Sequence, residues 1–298
     1  MISAVVYALL SSFFHALHVV ILTPILKQGV SPRIAALYTL AIGTLITGIA
    51  SFLTLPFLCI MLTSPLLPIL LLVFSGLLGQ GLARTANYYS VKFIGAARGN
   101  LLVNSAPLFA LPVAFTILGE VFSINKIIGA ILLMTAIVLT SKEAGKIKGE
   151  EYSSGGASKI GVLLGILAAI LYAVARLLRK VVVDFLPYPL LTSFIANGVA
   201  IPLVLLEEKQ SSAKSRVFLP SLYALPLSLA GCLQVLGIIM EFMAYGVGEA
   251  SIVIPARSTT PIFTAFLSLA LLKKYEKITP YSLIACFIAV LGIVILSL

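Results

Sequence analysis

The stretch from Ala97 to Ala110, ARGNLLVNSAPLFA, places an arginine, two asparagines and a proline inside a strongly apolar run. A related pattern recurs in the second half of the chain, where NSAPLF from Asn104 is matched by STTPIF from Ser258, 154 residues later. A proline in a helix interior removes a backbone hydrogen bond and kinks or breaks the axis. The two stretches therefore predict two interrupted helices at equivalent places in a duplicated chain.

Composition makes this chain an integral membrane protein. Of its 298 residues, 60% are hydrophobic and 10% are charged, and the mean hydropathy is +1.15. A helix needs about 20 apolar residues to cross the hydrocarbon core, whereas barrel strands are short and alternating. The sequence predicts an all-α fold with ten transmembrane helices, over approximately 2–26, 34–57, 66–90, 94–118, 124–141, 160–182, 187–206, 218–244, 249–272 and 279–298.

Further matches between the halves indicate a duplication. His15 corresponds to Tyr172 and Pro32 to Pro189 at an offset of 157 residues, and the turn GEVFSIN corresponds to YEKITPY at 156. Each half holds five predicted helices, so the second copy enters the membrane from the opposite side, as in the inverted repeats of secondary transporters. We predict repeats at 1–141 and 160–298, joined by a charged Gly/Ser linker at 142–159.

Polar residues within the predicted spans mark a candidate solute-binding site. Helical spacing aligns one stripe on the third span and one on the eighth: Gln80, Arg84 and Asn87, and Gln234, Glu241 and Tyr245. The other predicted lining residues are His15, His18, Asn100, Asn104, Tyr172, Arg176, Arg257 and Ser258, with Pro107 and Pro261 as hinges. Charges at a helix centre are unfavourable against lipid, so we expect most of these residues to face a polar cavity near the bilayer midplane.

The intramembrane charges suggest what the cavity binds. Arg84 and Arg98 are predicted near the loop between the third and fourth spans, away from any acid, and an unpaired arginine in a cavity favours a carboxylate or phosphate. Arg98 also suits an interfacial position. Glu241, the only acid in the interior of a span, either carries a coupling proton or forms a fixed ion pair with Arg176 or Arg257.

Other classes of protein fit the sequence less well. The net charge of +10 is scattered over short loops, so no basic domain is present to bind nucleic acid. The three cysteines have no metal-ligand spacing, and no HExxH or aspartate-rich motif accompanies Glu241, which argues against a metal, a cofactor or a catalytic centre. A membrane-embedded enzyme and a receptor or channel remain the alternative functions.

The two halves resemble the ten-helix, EamA-type branch of the drug/metabolite transporter superfamily. The first copy, GAARGNLLVNSAPLFALPVAFTILGEVFSINKIIGAILLMTAIVL, is similar to its pattern of small residues, a mid-helix proline and Gly-Glu at the turn. The second copy has Tyr275-Glu276 in place of Gly-Glu, and position 15 carries histidine where tryptophan is common. The resemblance implies a central cavity, alternating access by movement of helix bundles, and a small organic metabolite as solute.

We therefore expect a secondary-active carrier of amino acids or other carboxylate- or phosphate-bearing solutes in the cell membrane. Its expected partners are the lipid bilayer, the solute, and a coupling proton or counter-substrate, with the chain as a monomer or homodimer. Thirteen Lys and Arg residues fall in loops on one predicted side, and only Lys126, Arg179 and Lys180 fall on the other. The positive-inside rule then predicts both termini outside, whereas the resemblance implies cytoplasmic termini.

Overall fold

The computed structural model describes residues 2–28, 30–54, 56, 59–60, 63–94, 99, 102–121, 123–147, 156–209, 221–271 and 280–297, and these are helices joined by short connections. In the first half they are α1 (Ile2–Lys27), α2 (Pro32–Thr54), α3 (Leu66–Gly76), a π-helix (Leu77–Ala83), α4 (Arg84–Ile94), α5 (Ala106–Thr116) and α6 (Ile124–Ile147). In the second half they are α7 (Gly156–Phe185), α8 (Pro189–Gly198), α9 (Ala200–Lys209), α10 (Ser221–Val247), α11 (Ala250–Arg257), α12 (Thr260–Leu271) and α13 (Pro280–Ser297).

Six helical stretches among the described residues are long and apolar enough to cross a membrane: Ile2–Leu26, Pro32–Thr54, Leu66–Ser90, Lys159–Phe185, Pro189–Leu206 and Tyr223–Val247. Two shorter apolar helices, Ala106–Thr116 and Ile124–Ala136, accompany them. The all-helical membrane fold is thus confirmed, and the total of ten spans stays a prediction.

The third span contains a feature that the sequence pattern does not indicate. Residues Leu77–Ala83 form a π-helix between α3 and α4, where a regular helix was predicted. Such wide turns are rare and frequently occur at functional sites. Glycine permits close packing just before it, because a Cβ on Gly76 would lie 2.6 Å from the Ala196 carbonyl oxygen. The irregular turn carries Gln80 and leads directly into Arg84.

The two proline motifs interrupt their spans at equivalent places. In the first half, a turn at Asn104–Ser105 precedes α5, which holds Pro107 in its first turn. In the second half, a turn at Ser258–Thr259 separates α11 from α12, which begins at Thr260 and Pro261. Proline fits a first helical turn because the missing N–H would lack an intrahelical partner there. The predicted interruptions are therefore present as short turns that divide the helical segments.

The helices of the two halves interlock with a two-fold pattern. Helix α1 packs on α10 of the other half, and the corresponding pair is α7 with α3, the π-helix and α4. Three spans pack on their own counterparts, through α2 with α8, α6 with α13, and α5 with α11. Exchanging the halves leaves this pattern unchanged, so the residues near its centre come from both copies.

Candidate functional site

Two equivalent glutamines meet at the centre of the bundle. The side-chain nitrogen of Gln234 donates to Gln80 Oε1 at 3.5 Å, although the two residues lie 154 positions apart. Arg84 also donates to that same oxygen. All three side chains are at least 95% buried. The contact between these counterparts lies where residues of both halves meet.

Glu241 lies among three arginines in the second half. Its carboxylate is 3.1 Å from Arg179 Nη1, 3.5 Å from Arg176 Nε and 3.8 Å from Arg257 Nε. The Tyr245 hydroxyl donates to the same carboxylate at 3.4 Å. The predicted pairing of Glu241 with Arg176 or Arg257 is thus present with both. We call Arg84, Arg176, Arg179 and Arg257, together with Glu241, the arginine cluster.

Arg179 connects the two parts of this cluster. One part is Arg84 beside Gln80, and the other is Arg176 and Arg257 beside Glu241. The sequence-based prediction counted Arg179 as a loop cation, which is wrong, because it is 2% exposed inside α7. Its Nη1 faces Glu241, while its Nη2 lies 3.0 Å from where a Cβ on Gly79 would stand. Gly79 directly precedes Gln80, the partner of Arg84. Arg179 therefore lies between the Glu241 carboxylate and the π-helix that carries Gln80.

Aromatic rings lie against the guanidinium groups of Arg176 and Arg179. Arg176 lies 5.4 Å from the centre of the Tyr172 ring, and Arg179 lies 5.5 Å from that of Phe242. Tyr172 also interacts with Arg84, so it lies between the two parts of the arginine cluster. Cation–π contacts of this kind hold a guanidinium in place without neutralising its charge.

The break in the ninth span supplies polar groups to the same site. Arg257 ends α11 and donates to Thr260 Oγ1 at 2.7 Å. Arg176 donates to Ser258 Oγ at 3.4 Å, and Ser12 of α1 donates to the Arg257 carbonyl at 2.7 Å. Pro261 follows this break directly, whereas Pro107 follows the break of the first half, beside the buried Asn104.

Helix α1 contributes both histidines. The Nδ1 of His18 lies 2.9 Å from the Ala230 carbonyl and its Nε2 lies 3.0 Å from the Tyr88 hydroxyl. A carbonyl only accepts, so Nδ1 carries the proton and Nε2 accepts from Tyr88 when the ring is neutral. His15 Nδ1 is 3.0 Å from the Ser11 carbonyl. His18 therefore acts as a hydrogen-bonded link between α1, α4 and α10.

A second contact between the halves lies at one end of the bundle. The Glu120 carboxylate accepts from the backbone amides of Ala250 and Ser251 at 2.6 and 2.8 Å, and so caps α11. Lys126 forms an ion pair with Glu249 beside it. The sequence places Glu120 in the turn GEVFSIN, and nothing in a turn motif shows which distant helix it reaches.

A cavity of about 200 Å³ lies beside the arginine cluster, because Phe242, whose ring lies against Arg179, forms part of its wall. Tyr7, Tyr188 and Phe242 are among its lining residues, and none of the side chains that line it is charged. This uncharged lining suits apolar or weakly polar groups, and it offers no charged side chain to bind an ion.

Most of the predicted site residues belong to one buried network. Gln80, Arg84, Tyr172, Arg176, Gln234, Glu241, Tyr245, Arg257 and Ser258 are linked by the contacts above. Asn87 lies one turn beyond Arg84, and its buried Oδ1 has no hydrogen-bond donor among the described residues. Asn100 and Arg98 lie outside the described residues. The cluster member that sequence reasoning missed, Arg179, is on the same helix face as Arg176 and Tyr172, and that spacing was the available signal.

Comparisons with known proteins agree with this architecture. The sequence model of the EamA-like transporter family matches twice, over residues 2–142 and 159–298. An uncharacterized protein of Methanocaldococcus jannaschii is 31% identical over 140 residues, which is 46% of this chain and 96% of that protein. A protein crystal structure superposes with a TM-score of 0.74 at 16% identity, covering 97% of this chain and 95% of the other, and this shows a shared fold. With both halves matched, this multi-pass membrane protein belongs to the EamA-like transporter family.

Proposed function

We propose that the protein is a secondary-active transporter of small organic solutes that carry carboxylate or phosphate groups. The observation that carries the proposal is the arginine cluster, in which four guanidinium groups and one carboxylate are each at least 95% buried between the halves. Unpaired charge is strongly unfavourable in the bilayer interior unless it faces a polar route or a bound ion. Arginine forms two parallel hydrogen bonds with carboxylate or phosphate, which makes it well suited to such a solute.

The proposal includes ten spans arranged as two inverted five-helix repeats. The double family match, the two-fold packing pattern and the contact between Gln80 and Gln234 support it. The Methanocaldococcus jannaschii relative is about as long as one half of this chain, as expected for a single unit. Five spans per unit require the second unit to be inverted, and solute then binds near the midplane, between the units.

We place the moving parts at the two broken spans. Helix breaks at Asn104–Ser105 and Ser258–Thr259 allow the segments on either side to tilt separately, with Pro107 and Pro261 as hinges. The Glu120 cap and the Lys126–Glu249 ion pair hold the halves together at one end of the bundle. In this proposal that end is closed, and opening it breaks these contacts while the opposite end closes.

Counterflow in proteoliposomes tests the proposal. Purified protein is reconstituted with an internal pool of unlabelled organic acids, sugar phosphates, amino acids or nucleotides, and entry of the labelled solute is followed. We expect exchange of at least one acidic class, and a loss of tenfold or more in Arg84→Gln, since a hydrogen bond to a charged group contributes about 1.5–3 kcal/mol. Lys159→Gln removes an exposed cation outside the cluster and is the matched control. Exchange by no solute class, or full activity in Arg84→Gln, contradicts the proposal.

A further inference from the structure

The arginine cluster carries more positive than negative charge. Arg84, Arg176, Arg179 and Arg257 are 2–5% exposed, and Glu241, also buried, is the acid that pairs with them. Four guanidinium groups against one carboxylate leave an excess of three positive charges. No described carboxylate forms an ion pair with Arg84, whose Nη2 donates instead to the neutral Gln80. The carboxylates of the described residues therefore leave this site with a net positive charge.

The excess is accompanied by unused hydrogen-bond donors. Among the described residues, four buried guanidinium nitrogens donate no hydrogen bond to a protein acceptor: Arg84 Nη1, Arg179 Nε, Arg179 Nη2 and Arg257 Nε, the last of which lies 3.8 Å from Glu241 Oε2. They occur in both parts of the cluster, on the Gln80 side and on the Glu241 side. Buried N–H groups are nearly always satisfied in native proteins, and a charged donor without an acceptor is especially unfavourable. The geometry therefore calls for more than one acceptor group.

We infer that the solute is a dianion, either a dicarboxylate or a phosphate monoester, whose oxygens accept from the unused donors of Arg84, Arg179 and Arg257. A dianion reduces the excess of three charges to one, whereas a monoanion leaves two. This inference rests on the proposed transport function and narrows it to one charge class. Arg179 reaches both parts of the cluster. It therefore contacts the solute whichever part of the cluster binds each of the two negative charges.

The position of Glu241 argues against an amino acid as the solute. Its Oε1 faces Arg176 and the Tyr245 hydroxyl, and its Oε2 faces Arg179 and Arg257. An ammonium group would have to displace one of these partners and enter the field of four arginines. Glu241 instead lowers the net charge of the site and offsets the repulsion among the guanidinium groups that it pairs with. It acts as a counter-ion and not as a ligand for a cationic group.

Binding by the full-length protein in detergent tests the charge class without requiring transport. Thermal unfolding and equilibrium binding are measured with dicarboxylates of three to eight carbons, their monomethyl esters, the ω-amino acids of matching length, and glycerol phosphate. Each monoester keeps the carbon chain of its parent acid, gains one methyl group and loses one charge. We expect at least one dianion to bind ten or more times more tightly than its monoester or matching ω-amino acid, since one charge-assisted contact is lost. Binding of glycerol phosphate distinguishes a phosphate monoester from a dicarboxylate as the solute.

Two variants test the inference through two different residues of the arginine cluster. Arg84→Gln leaves the Glu241 ion pairs intact and is expected to reduce both dianion affinity and the preference over the monoester. Glu241→Gln frees three guanidinium groups, so we expect dianion affinity to be kept or to rise. If Glu241 were instead an ammonium ligand, the ω-amino acids would bind the wild-type protein tightly and would lose affinity in this variant.

The outcomes separate this inference from the proposed function. If a monoester or ω-amino acid binds as tightly as the best dianion, or if no dianion binds, the inference is overturned, and counterflow still decides whether the protein is a transporter. If dianions bind selectively but none is exchanged, the charge class holds and the transport proposal fails.

Discussion

Substituting Glu241 with glutamine is the most informative test of the site's electrostatics. The change keeps the shape of the side chain and leaves Arg176, Arg179 and Arg257 without their counter-ion at distances of 3.5, 3.1 and 3.8 Å. A unit-charge pair at about 4 Å attracts by roughly 4 kcal/mol at an effective dielectric constant of about 20. The three attractions do not add, because each also carries a desolvation cost. Removing one partner of a buried pair costs about 3–5 kcal/mol, and Glu241 is 2% exposed, so we expect that range.

Thermal unfolding of the purified protein in detergent measures this effect. At roughly 2–4 °C per kcal/mol for domains of 150–250 residues, Glu241→Gln should lower the melting temperature by about 10 °C. Asp184→Asn is the matched control, because its carboxylate pairs with Lys180 at 3.0 Å but is 58% exposed, and its loss should cost less than about 1 kcal/mol. If Glu241→Gln melts together with the wild-type protein, the arginines are well solvated and the argument from buried charge is refuted.

Three further predictions concern packing, capping and orientation. Gly237→Ala would place a Cβ in steric overlap with the His15 ring at Nδ1, so we expect a loss of about 1–3 kcal/mol on thermal unfolding. Gly246→Ala would place a Cβ 3.4 Å from Val183 Cγ1 and should be tolerated, and equal melting of both variants would contradict the packing. Glu120→Ala removes the cap of α11. Because such a cap contributes roughly 1–2 kcal/mol, the rate of hydrogen exchange at the first amides of α11 should rise about five- to thirtyfold. An unchanged exchange rate would contradict this role. A C-terminal tag that carries a thiol should react with a membrane-impermeant thiol reagent added outside intact cells, as the positive-inside rule predicts. Labelling only after permeabilisation would favour cytoplasmic termini.

Features that depend on local chemistry could be predicted from the sequence. The length of the apolar runs indicates membrane helices, because the bilayer thickness fixes the number of residues required. Pro107 and Pro261 indicate breaks at equivalent places, since proline cannot continue the backbone hydrogen-bond pattern of the preceding turn. The offset of 154 residues between Gln80 and Gln234 identifies them as counterparts, and the structure places them in contact.

Features that depend on which helices are neighbours could not be predicted in this way. Arg179 lies near the end of an apolar run, where a long cationic side chain can equally reach the membrane surface, and only the packing of α7 against the π-helix shows that it is buried. The same limit applies to Glu120, whose partner is a helix end 130 residues away.

Membrane location, helical class, duplication and the polar residues of the spans all follow from the amino-acid sequence, because each depends on spacing and solubility along one chain. The packing of the helices is needed to show that Arg84, Arg179 and Glu241 belong to one cluster and that, among the described residues, this cluster is short of negative charge. The physical reason is that charge balance is a property of a volume shared by several helices. Helical periodicity gives the direction of a side chain on its own helix, and not the charge that it meets on the next.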